Sequence, residues 1–187
     1  MRSPDPVEYA WWLSSRAAGV VAFALISLSV LLGLAMANRL VRGRSVVKLH
    51  EHLALAGLVA IAVHGIALLG DSWLNPGLTG LLIPFTMDYE PVFTGLGILA
   101  GYLAALLVLS FYVRRRVGAK RWRSLHRWTV LVYVLGVIHT LGAGSDAEAP
   151  WLRAVLLATG TPILFLFLLR VLPDDSRSVP RPRPETS

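Results

Sequence analysis

The 187-residue chain contains no cysteine. Disulfides, iron–sulfur clusters, thiolate-bound iron and covalent porphyrin attachment through C-x-x-C-H are therefore excluded. Any redox group would have to be held by other side chains, histidine first among them. Charge is also scarce. Only 16% of the residues are Asp, Glu, Lys or Arg, against about a quarter in a soluble domain. What the chain has instead is apolar surface, 55% hydrophobic residues with a mean hydropathy of +0.62, gathered into long uncharged runs. That distribution marks a membrane domain.

The net charge of +7 does not point to nucleic acid. The Lys and Arg residues sit at the ends of apolar runs, where they orient helices in a bilayer, whereas a nucleic-acid surface gathers them into one patch.

Five runs stand out. Ala17 to Ala37 is uncharged over 21 residues, enough to cross a hydrocarbon core of about 30 Å at about 1.5 Å per residue. Its Ala35-Met36-Ala37 ending has the look of a cleavage site. A signal peptide, however, has an apolar stretch of about 7–15 residues behind a basic N-terminal region. Here the run is longer and the positive charge follows it, so a retained helix is expected. The others are Leu49 to Gly70, Val92 to Val113, Leu125 to Ala143, and Trp151 to Leu172 with Pro162 as a candidate kink. The expectation is an all-α membrane protein, a bundle of about five transmembrane helices forming one domain over residues 1–172. The Arg/Pro/Ser-rich tail 173–187 is expected to be disordered. The stretch Leu78 to Phe85 is too short to span and is expected to lid the bundle as an interfacial or re-entrant segment.

Loop charge orients the bundle. Arg39, Arg42, Arg44 and Lys48 follow the first run, and Arg114, Arg115, Arg116, Lys120, Arg121 and Arg123 follow the third. The loops after the second and fourth runs carry Asp71, Asp88, Glu90, Asp146 and Glu148 but no Lys or Arg. The positive-inside rule then places the N-terminus outside and the C-terminus in the cytoplasm. Trp11, Trp12, Trp73 and Trp151 fall at the outer interface, Trp122 and Trp128 at the inner one, as aromatic belts do.

All five histidines lie on two of the five runs: His50, His52 and His64 on the second, His126 and His139 on the fourth. Ionisable residues within a membrane are costly and mark function. His50 and His64 are 14 residues apart, which on a helix is about 21 Å of rise and only about 40° of rotation. His126 and His139, 13 apart, rise about 20 Å. Two cross-helix pairs follow from depth, His50 with His126 near the cytoplasm and His64 with His139 near the outside. Two stacked bis-histidine sites are what a two-haem wire requires. Thirteen ideal residues leave His126 and His139 about 140° apart, so an irregularity in the fourth helix is expected, with Gly136 as its candidate. His52 is open as the alternative to His50. Arg16 is a candidate for an outer haem propionate, and Lys48, Arg44, Arg121 and Arg123 for the inner ones.

The two histidine pairs, with the runs Arg121-Trp122-Arg123-Ser124-Leu125-His126-Arg127 and Ile138-His139-Thr140-Leu141-Gly142-Ala143-Gly144-Ser145-Asp146, resemble the ferric reductase-like transmembrane domain. That domain is shared by ferric reductases, NADPH oxidases and the membrane subunit of bacterial methionine sulfoxide reductase systems, and the second run is similar to actinobacterial members. The resemblance spans about residues 12 to 172. It implies two b haems (haem b) on His50, His64, His126 and His139, and a multi-pass protein of the bacterial inner membrane. Ferric reductases continue into a flavin and nicotinamide domain. No Gly-x-Gly-x-x-Gly stands in a strand–helix context here, so the expected electron donor is a separate flavoprotein or a quinol, with an acceptor at the outer face. The chain reads as an electron-transfer oxidoreductase subunit. A haem-free proton-relay transporter would want carboxylates in the helix interiors, which have none. A structural subunit with histidines bonded between helices is the third reading.

Overall fold

The computed structural model describes residues 6–172, and every element among them is a helix: α1 Pro6–Ala37, α2 Arg44–Leu68, α3 Gly77–Leu82, α4 Pro91–Val117, α5 Ala119–His126, α6 Thr129–Ala143 and α7 Pro150–Val171. The tail expected to be disordered, 173–187, lies outside the described residues. Four helices, α1, α2, α4 and α7, are long and apolar enough to cross a membrane. Their outward surfaces stay apolar, with Leu106, Leu157 and Phe165 each 60% or more exposed. In water such a surface would drive aggregation, and in lipid it costs nothing. Pro162 lies inside α7 without ending it.

The fourth run differs from the expected single span. It is a 15-residue helix, α6, about 22 Å long, preceded by the short basic helix α5. The interruption falls at Arg127 and Trp128, where ψ of Trp128 is −2° and Trp128 and Leu131 donate to carbonyls three residues back. Such tightened turns mark a local departure from α geometry. Gly136, the candidate for this irregularity, sits instead within the continuous α6.

Helix α1 is the spine. It packs against α2, α6 and α7, while α4 packs against α6, α5 and α2. Buried Val30, Leu34, Tyr133, Ile163 and Leu166 join α1, α6 and α7 in one cluster, and Ala104, Leu107 and Val132 join α4 to α6. At Gly57 of α2 a Cβ would lie 2.8 Å from Ile26 Cδ1, so glycine is what lets α1 and α2 run this close. Helices α2 and α6 are not a closely packed pair, and a cleft separates them.

At the end of the bundle bearing the acidic loops, α3 forms from the Leu78–Phe85 stretch as a six-residue helix. The Tyr102 hydroxyl of α4 donates to Leu82 O at 2.5 Å, tying this segment over the mouth of the cleft. Asp71 begins it by accepting from the Trp73 and Leu74 amides at 2.9 and 3.1 Å, an Asx turn that reverses the chain after α2.

Candidate functional site

The cleft between α2 and α6 is where the histidines meet. His50 and His126 face each other with ring centroids 5.9 Å apart. His64 and His139 do so at 6.3 Å. An imidazole nitrogen binds a first-row metal at about 2.0 Å and lies about 1.1 Å from its own ring centre, so two rings sharing one ion stand about 6 Å apart. Both pairs have that separation. His52 does not join them. It is exposed, and its Nδ1 bonds Lys48 O of its own helix at 2.7 Å.

Three of the four facing rings are oriented through the nitrogen that points away from the cleft. His64 Nδ1 lies 2.8 Å from Ser15 O, His50 Nδ1 2.9 Å from Ser29 O, and His139 Nδ1 3.0 Å from Phe93 O. A carbonyl oxygen can only accept, so Nδ1 carries the proton in each, and Nε2 keeps its lone pair for a metal. This is the arrangement in which backbone acceptors orient metal-binding histidines and raise their basicity.

Helix α1 supplies two of these acceptors through a motif that sequence reasoning missed. Ser15 and Gly19, and again Ser29 and Gly33, form Ser-x-x-x-Gly units 14 residues apart, the same interval as His50 to His64. Each serine is buried, and its hydroxyl donates back to the backbone carbonyl of the facing histidine, at 3.3 Å for His64 and 3.4 Å for His50. Each glycine makes room for the ring. A Cβ at Gly19 would lie 3.1 Å from His64 Nδ1, and one at Gly33 3.2 Å from His50 Cε1. On α4, a Cβ at Gly97 would come within 2.5 Å of His139 Nδ1. The matching 14-residue intervals on two antiparallel neighbours were the available signal.

The His64–His139 pair opens on a cavity of about 690 Å³ bounded by α1, α2, α4, α6 and the α3 segment, within the range of cofactor sites. Its walls are mainly apolar, and Arg16, Asp71 and Asp146 also line it. Arg16 is held in a two-pronged ion pair by Asp146, Nε to Oδ2 at 2.7 Å and Nη2 to Oδ1 at 2.5 Å, and lies against the Trp12 ring. That leaves its Nη1 edge for an anion. Asp71 Oδ2 is buried with no hydrogen-bond partner among the described residues. Lys48 and Arg123, with Arg44 and Arg121, are exposed at the basic end, where no ion pair among the described residues engages them.

This is a multi-pass α-helical membrane protein with two facing histidine pairs stacked along its axis. Residues 18–137, well over half of the chain, match the family described as ferric reductase-like transmembrane component, and the chain belongs to that family. His50, His64 and His126 fall inside the matched segment, and His139 two residues beyond it. The chain is also similar to the protein-methionine-sulfoxide reductase heme-binding subunit MsrQ of Salmonella arizonae, at 26% identity over 178 residues, covering 91% of this chain and 76% of that protein. No solved structure matches it.

Proposed function

We propose that this protein is a membrane electron-transfer subunit that holds two b-type haems, one on His50 and His126 and one on His64 and His139. The observation that carries the reading is the pair of ring separations, 5.9 and 6.3 Å, with the backbone acceptors that leave Nε2 free in three of the rings. At the His64–His139 site, the cavity of about 690 Å³ and its small-residue walls fit one flat macrocycle. Membership of the family, and similarity to a subunit named for haem binding, agree with the chemistry of the donor set.

A bound haem would supply one-electron exchange at iron. The residues of this chain do the rest. The four imidazoles would hold the two groups at two depths of the bundle, since His50 and His64 are separated by about 21 Å of helix. The Ser-x-x-x-Gly units keep the α2 rings from rotating. The apolar walls and the α3 segment exclude water from the His64–His139 end. Arg16, through Nη1, is the group placed to bind a propionate there, and Lys48 and Arg123 serve the other end. Loop charge orients the basic end toward the cytoplasm. Electrons would thus pass from a separate flavoprotein or a quinol, through the His50–His126 site, to an acceptor beyond the His64–His139 site in the bacterial inner membrane.

The test is the purified protein in detergent. A reducible b-type spectrum, a haem-to-chain ratio of two and two low-spin ferric signals are expected. A ratio of one would remove the wire. A ratio of zero would leave the histidines as interhelical hydrogen-bonding groups.

A further inference from the structure

The four rings are not held alike. His126 Nδ1 is buried and has no hydrogen-bond partner among the described residues, whereas the other three Nδ1 atoms each bond a carbonyl. If Nε2 of His126 faces the metal, its neutral ring must carry its proton on Nδ1. That N–H is then a buried donor without an acceptor, which is unfavourable. No hydrogen bond fixes the direction of this ring.

What touches it is Trp122, one turn earlier on α5. The two rings stack with centroids 4.8 Å apart and planes 22° apart. Trp122 is itself anchored. Its indole N–H donates to Ser110 Oγ of α4 at 3.2 Å, Ser110 Oγ donates on to Leu107 O at 2.7 Å, and Phe111 packs edge-on to the indole at 6.0 Å. The helix interruption at Arg127–Trp128 follows His126 directly, so the continuous helix α6 does not orient the ring either. Helix α5 is only eight residues long, too short to be rigid alone. The stack on an anchored indole is therefore the restraint on this side chain that corresponds to the carbonyls behind the others.

We infer that Trp122 is the positioning residue for His126, held by Ser110, and that His126 is the most readily displaced of the four proposed axial ligands. The inference rests on the two-haem reading above. An aromatic stack of this kind fixes the orientation of a ring more than it adds affinity.

The test uses the full-length haem-loaded protein. The low-spin ferric signal that His126→Ala abolishes identifies the inner site, and the other signal serves as internal control. Trp122→Leu should abolish that inner signal or convert it to high-spin while the control persists, and Trp122→Phe, which keeps a stacking face, should retain both. Ser110→Ala, which releases the indole without emptying the pocket, should shift the g-values of the inner signal alone. Carbon monoxide added to reduced wild type should bind, if at either site, at the inner one, and Trp122→Leu should raise the bound fraction there severalfold. An unchanged inner signal in both Trp122→Leu and Ser110→Ala overturns the inference, as does carbon monoxide binding at the other site. Should Trp122→Leu fail to accumulate or lose both signals together, Ser110→Ala decides: an inner-only shift upholds the inference, and no shift overturns it. A wild type without haem would defeat the functional reading itself, a result distinct from any of these.

Discussion

Gly97→Ala offers a sharp test of how tightly the protein positions His139. A methyl group at Gly97 would lie 2.5 Å from His139 Nδ1 and 2.7 Å from both Cγ and Cε1, so it would press on the ring as a whole. Ordinary contact begins at 3.4 Å, and the ring or the helix must therefore yield by about 0.9 Å. That movement is nearly half of a metal–nitrogen bond of about 2.0 Å. It also strains the 3.0 Å bond from Nδ1 to Phe93 O. Overpacking of this kind costs about 1–3 kcal/mol, a fold-level loss that a bundle of this size survives. The expected result is loss or high-spin conversion of the His64–His139 signal, with the His50–His126 signal unaltered. Gly19→Ala meets His64 at 3.1 Å and Gly33→Ala meets His50 at 3.2 Å, so each should only shift its own signal by displacing a ring a few tenths of an ångström. Haem content by pyridine haemochrome and electron paramagnetic resonance on the three variants would read this series. If Gly97→Ala leaves both signals at their wild-type g-values, or if Gly19→Ala disturbs more than Gly97→Ala, ring position does not govern ligation and the packing argument fails.

Three further outcomes are expected. Gly136 lines the cavity with nothing within 4 Å of its would-be Cβ, so Gly136→Ala should leave the melting temperature of the haem-free protein unchanged or raised while lowering haem occupancy, and equal occupancy would mean that the macrocycle lies elsewhere. Asp146→Asn removes the countercharge of Arg16, leaving a positive charge near the His64–His139 site. At about 10 Å and an effective dielectric of about 20 this favours the reduced state by on the order of 1 kcal/mol, so potentiometry should show that midpoint rise by tens of millivolts, less at high salt, and a fall would contradict the placement. A reporter active only in the periplasm should work when fused in the 71–91 loop and be silent at the C-terminus, and the opposite pattern would reverse the proposed direction of electron flow.

Much of the arrangement was legible along the chain because its governing quantities are one-dimensional. Span length, the alternation of basic and acidic loops and the depth of a residue in a helix all depend on position along the sequence. The pairing of His50 with His126 and of His64 with His139 came from depth alone, and the structure brings the same rings together. It also separates from them His52, which the sequence left open as the alternative to His50 and which lies about 120° around the helix from His64.

The lateral arrangement was not legible in this way. The irregularity needed between His126 and His139 was expected at Gly136, on the ground that glycine loosens a helix. It lies at Arg127–Trp128, where helix α5 meets α6 and neither residue has an unusual propensity to signal it. The Arg16–Asp146 pair spans 130 positions, and nothing local relates its members. The acceptors behind His50, His64 and His139 are main-chain carbonyls of Ser29, Ser15 and Phe93, and a carbonyl is present at every residue, so no side-chain pattern advertises which one is used. Only the Ser-x-x-x-Gly repeat on α1 left a trace, as a 14-residue interval matching that of the histidines. Run length, loop charge and the depth of each histidine can be read along the chain, because the bilayer imposes a single axis on which apolar length and charge are counted. Azimuth, the carbonyl that meets each imidazole, and the lack of one at His126 among the described residues appear only in the folded bundle, because rotation about that axis is set by neighbouring helices distant in sequence.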